Sequence, residues 1–142
     1  MWINHHDLFT RVRSVNPKLM VINLALLLTA SVIPFPTAVL SAAMRDGSNR
    51  DQVVASVLYA GVGLSMALSW TLLYSYLRTT PRLLVEASDV TYMRDGVRRT
   101  LLSLVAFPAG AALAFVSPTV SLVAYAALPF FFIATLLYAD GK

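Results

Sequence analysis

The sequence has no cysteine, which excludes disulfides, thiolate metal sites and thiol nucleophiles. It has little charge: 13% of its 142 residues are Asp, Glu, Lys or Arg, against about 25% in soluble domains. Histidine is scarcer still. His5 and His6 are the only two, and being adjacent they diverge on a helix instead of converging on one metal. No pair of histidines stands four residues apart. Ser31, Ser65, Ser69 and Ser103 lie in apolar surroundings with no base beside them, so they read as hydrogen-bonding side chains of packed helices, not nucleophiles. An enzyme with a resident cofactor is therefore not expected.

The shortage of charge is concentrated. Residues 19–44, 53–77, 100–116 and 119–138 contain no Asp, Glu, Lys, Arg or His. A membrane helix needs roughly 17–25 mostly apolar residues, so each stretch is long enough to cross a bilayer. With 58% hydrophobic residues and a mean hydropathy of +0.70, the expected fold is an all-α membrane protein. It has four complete spans in one transmembrane domain over 1–142, with 1–18 forming the end of a preceding helix and a loop. The first span is too long for a signal-peptide core, and three more follow it. The lack of a carboxylate inside any span argues against a proton-coupled pump, since intramembrane ionisable groups mark such pathways.

The basic residues that are present sort by loop. Arg11, Arg13, Lys18, Arg78, Arg82, Arg94, Arg98, Arg99 and Lys142 fall on one side of the four spans, and only Arg45 and Arg50 on the other. That bias places both termini and the 78–99 loop in the cytoplasm of a multi-pass plasma-membrane protein. It accounts for the net charge of +4 without a nucleic-acid partner. Within the loop, 81–99 mixes apolar and basic residues and is expected either as a short interfacial helix or as irregular chain.

Small residues mark where helices in lipid approach closely. Ser56, Ala60, Gly63 and Ala67 share one helical face of the second span, and Ala106, Gly110 and Ala114 form a ladder in the third. Each set reads as a packing face, or as the ordinary composition of a span. Pro34 and Pro36 are expected to kink the first span, with Thr37, Ser31 or water meeting the carbonyls they free. The break reads as a structural kink or as a gate. Pro108 and Pro129 are expected to bend spans three and four. Asn23 is the most polar group deep in span one, either anchoring another helix or lying shallow enough to be wetted. The segment 2–9, WINHHDLF, reads on composition as an interfacial anchor with Trp2 and Phe9 in the headgroups.

The order of features adds to this. WINHHDLF precedes a short basic loop, then VINLALLLTASVIPFPTAVL at 21–40, then a span containing Leu58, Tyr59 and Ala60. This resembles the prokaryotic members of the TMEM175 family of potassium-permeable channels. There a W-x-x-H-H-like ending closes the second helix, and an asparagine-bearing third helix runs into a P-F-x-T element. The matching residues are Trp2, Asn4, His5, His6, Phe9, Asn23, Pro34, Phe35 and Thr37. The resemblance implies six helices per repeat, a homotetramer and a pore lined by the first helix, passing potassium without a cofactor. It further implies that an R-x-x-x-F-S-D motif on that first helix is braced by polar residues, here Trp2, Asn4, His5, His6 and Asn23. The chain has no R-x-x-x-F-S-D. Its four spans then correspond to helices three to six, and it is expected to be a truncated or partial channel subunit. The alternatives are a non-conducting membrane scaffold or accessory subunit, and a transporter of a small solute.

Overall fold

The computed structural model describes residues 2–128. Helix α1 spans Trp2–Thr10, α2 Pro17–Val32, α3 Pro34–Asp46, α4 Asn49–Thr79 and α5 Asp89–Ala114, with a 3-10 turn at Pro81–Leu83. A further apolar helix, α6, covers Pro118–Leu128. The fold is all-helical, and among the described residues the only extended pairing is an isolated bridge between Val12 and Leu84. Three helical stretches are long and apolar enough to cross a membrane: Pro17–Asp46, Asn49–Thr79 and Asp89–Ala114. Of the expected fourth span, 119–138, only the part within α6 is described. Pro129 lies outside the described residues.

The helix boundaries follow from local chemistry. Asn16 caps α2, its side-chain oxygen accepting from the Leu19 amide at 2.9 Å, and Pro17 occupies the first helical position, where no amide donor is needed. Pro34 and Pro36 end α2, and Ile33 is a turn between it and α3. The two prolines cannot donate to the carbonyls of Ala30 and Val32. Neighbouring hydroxyls do not replace those donors. Thr37 donates to the Ile33 carbonyl at 2.9 Å and Ser31 to that of Leu28 at 2.8 Å. Ser48 and Asp51 form a reciprocal cap on α4, the Ser48 amide donating to Asp51 at 2.9 Å and the Asp51 amide to Ser48 Oγ at 3.3 Å. Pro108 sits inside α5 without ending it.

The third long helix starts earlier than the charge-free run at 100–116. Helix α5 begins at Asp89, so the charged residues 89–99 are its first three turns and not a separate surface helix. Helix formation needs only compatible backbone, and no proline interrupts this segment.

The chain forms two compact units. The first comprises residues 2–31 and Ser65–Leu104. Its core is Leu8, Leu19, Leu26, Trp70, Leu73, Tyr74, Leu77, Leu83, Leu84 and Met93. Two loops are stitched together here: the Arg13 amide donates to the Leu83 carbonyl at 2.7 Å and the Val85 amide to the Arg11 carbonyl at 2.9 Å. All of the larger basic group except Lys142, which lies outside the described residues, belongs to this unit.

The second unit comprises Val32–Leu64 and the described part of 105–142. Leu40, Ala43, Ala55, Ala60 and Tyr125 form its core. A turn at 115–117 joins α5 to α6, whose Ser121 hydroxyl donates to the Gly110 carbonyl at 2.7 Å. The side chain of Tyr125 crosses Gly110 so closely that a methyl group there would overlap its ring. Gly63 is likewise covered by Phe107. Ser56, Ala60, Gly63 and Ala67 are all buried, as are Gly110 and Ala114, while Ala106 is half-buried. Close approach of backbones, which small residues permit, is what packs helices where lipid removes the hydrophobic drive.

Candidate functional site

The polar residues of the first unit gather between α1, α2, α4 and α5. His5 and Asn23, eighteen residues apart, meet through His5 Nε2 and Asn23 Oδ1 at 2.8 Å. The carboxamide oxygen only accepts, so the ring nitrogen carries the proton in this pair. Helix α1 has neither glycine nor proline and presents Leu8 to the core. His5 lies about one turn before Leu8, on the same face. Its ring rests on Phe9 at 4.6 Å between centroids and meets the edge of Trp70 at 6.4 Å. From Trp70 the aromatic contacts continue by stacking on Tyr74 at 5.5 Å, and Tyr74 in turn meets Tyr92 at 6.2 Å. Tyr74 packs where Gly96 leaves α5 without a side chain.

The other named members of the expected brace are placed differently. Trp2 and His6, one turn apart on α1, stack at 6.4 Å between centroids. Both are exposed, Trp2 at 78%. Asn4 is half-buried and makes no hydrogen bond among the described residues. The structure thus brings together His5 and Asn23, and leaves Trp2, Asn4 and His6 apart from that pair.

A second polar cluster was not singled out by sequence. Arg11 reaches Asp89 at 3.1 Å and Asp7 at 3.4 Å, and its guanidinium lies 4.3 Å from the centre of the Tyr92 ring. Asp89 is almost wholly buried at the start of α5, where the helix dipole also favours a carboxylate. Burial works to lower the pKa of Arg11. The Asp89 hydrogen bond and the charges of Asp7 and Asp89 outweigh it and hold the value above the ordinary one. Its Nε is buried without a partner, a cost the two carboxylates and the ring offset. Asn16 similarly joins two elements, donating to the Tyr76 hydroxyl at 2.8 Å while capping α2. The Asn-Pro pair at 16–17 was the available signal for that cap. Nothing local marks Asp89 as the partner of an arginine 78 residues away.

Among the described residues no three His, Asp or Glu side chains converge as a metal site requires. The arrangement fixes helix positions.

Residues 1–34 match the model of the family described as endosomal/lysosomal potassium channel TMEM175. A protein of Streptomyces collinus named as a potassium channel is 33% identical over 132 residues, which is 93% of this chain and 63% of that protein. One of Chamaesiphon minutus, also named as a potassium channel, is 34% identical over 89 residues, 63% of this chain and 42% of that protein. The chain therefore spans less than two thirds of the length of the curated relatives it matches. No solved structure matches it. The matched segment 1–34 contains both His5 and Asn23; over it the chain is similar to the TMEM175 family, and over most of its length to proteins named as potassium channels.

Proposed function

We propose that the chain is a subunit of a potassium-permeable channel that conducts passively and crosses the plasma membrane four times. Its helices correspond to the third to sixth of a six-helix subunit. Both termini are cytoplasmic, the assembly is a homotetramer, and potassium is the permeant species with no cofactor. The observation that carries the reading is the His5–Asn23 hydrogen bond, which ties the two polar landmarks of the family-matching segment. Names borne by the relatives in Streptomyces collinus and Chamaesiphon minutus support the ion.

In this proposal the pair holds α1 against α2. The exposed Trp2 and His6, with Asn4 beside them, form the open half of a polar brace for a pore-lining helix. That helix bears the R-x-x-x-F-S-D motif, which is absent from these residues. An apolar pore lining gates by controlling wetting. Planar-bilayer recording from the protein with its upstream coding sequence tests this. A reversal potential that follows the potassium gradient supports the reading, and one indifferent to that gradient rejects it.

A further inference from the structure

The second unit carries a groove that the channel reading does not use. It has a volume of about 420 Å³ and is lined by Leu40, Met44, Tyr59, Leu122 and Tyr125, with Arg45. That size is within the range of small-ligand sites, about 300–1,000 Å³. Along α3 the lining runs from Thr37 to Arg45, eight residues or about 12 Å of helix. Two of its four hydroxyls are engaged elsewhere: Thr37 donates to the Ile33 carbonyl, and Tyr125 to that of Ser56 at 3.3 Å. The rest of the lining is mostly apolar, and the Tyr59 ring tilts against Tyr125 at 5.0 Å.

Arg45 differs from the rest of the lining. It sits in the last turn of α3, is exposed, and makes no ion pair or hydrogen bond among the described residues. Nearby, Asp51 is committed to Ser48, and Asp46 is exposed and makes no ion pair among the described residues. The pattern is an apolar channel along a membrane helix with a free guanidinium at its charged end. A planar fork of donors of that kind suits a phosphate, the group that a phospholipid presents at the end of its acyl chains.

We infer that this groove holds one phospholipid, an acyl chain lying along α3 and the headgroup phosphate paired with Arg45. The inference needs the chain to cross a membrane and is independent of potassium conduction. Bulk lipid wets any exposed face. A lipid held by Arg45 instead survives dilution into detergent.

Native mass spectrometry of the full chain in detergent tests this, with phosphatidylglycerol or a diacylglycerol of the same acyl chains added. Phosphatidylglycerol is expected to remain bound and the diacylglycerol, which lacks the phosphate, to be lost. Arg45→Gln should lower the phosphatidylglycerol adduct about tenfold, the scale of one charge-assisted contact. Arg45→Lys should retain most of it. Ser41→Phe fills the groove with Arg45 intact and should also remove the adduct. Equal retention of both lipids, equal retention by R45Q, or no adduct on any form overturns the inference. So does a chain–chain species that S41F abolishes while lipid binding persists, since the occupant would then be a second copy.

Discussion

His5 Nε2 lies 2.8 Å from Asn23 Oδ1, so the most polar group deep in α2 is satisfied from α1 of the same chain. A carboxamide in an apolar setting must find such a partner or pay for its absence. Asn23 therefore positions the short first helix.

Removing either side of that pair strands the other. His5→Ala and Asn23→Ala should each cost about 1 kcal/mol, the low end of the penalty for an unsatisfied group because both residues are half-buried. The double variant should cost less than the sum, by about 0.5 kcal/mol or more. Reversible unfolding in mixed micelles measures all three. Strict additivity would show that the pair contributes no coupling.

Gly96 is expected to resist substitution although it lies inside a helix. Alanine there gains about 1 kcal/mol of helix propensity. The new methyl group, however, meets the Tyr74 ring, which is buried and stacked on Trp70. Overpacking of that kind costs about 1–3 kcal/mol, so Gly96→Ala should lower the melting temperature. Combining it with Tyr74→Leu, which frees the space, should recover part of the loss.

The Arg11–Asp89 contact should stabilise the loop junction at every physiological pH. A raised arginine pKa means the contribution is fully present below the unfolded value and fades only as pH climbs through the folded one, far above the physiological range. Arg11→Gln leaves Asp89 buried without its cation and should cost about 1–3 kcal/mol. Thermal melts of both proteins should differ by a constant amount between about pH 6 and pH 9. A gap that closes anywhere in that interval contradicts the assignment.

Thr71 and Thr100 provide a contrast. Thr71 Oγ1 and Thr100 Oγ1 lie 2.9 Å apart, and each also has a carbonyl of its own helix within reach, so two hydroxyl protons are shared among three contacts. With partners available in the helix itself, Thr100→Val should cost only about 0.6 kcal/mol. The same unfolding assay reads it, and a loss as large as that of Asn23→Ala would rank these contacts wrongly.

The sequence made the helical membrane class legible because exclusion of charge is the strongest demand of a bilayer. It also made the break at Pro34 legible, since two prolines cannot continue an α-helical ladder. Asn23 was readable as a group in need of a partner, but not which one, because His5 and His6 are indistinguishable until the phase of α1 is known. The start of α5 was not legible, for the opposite reason. Charge marks the limit of a hydrophobic run and not of a helix, and Asp89–Ala114 is continuous across it. Nothing local in the sequence gives Gly96 a role. Its use, making room for Tyr74, depends on a contact 22 residues away.

Potassium flux into liposomes tests the central claim most directly, comparing the 142-residue chain with a version extended upstream. The account predicts flux through the extended form and none through the shorter one, because the proposed pore helix bears an R-x-x-x-F-S-D motif that these 142 residues lack. Flux through the 142-residue form alone would contradict it.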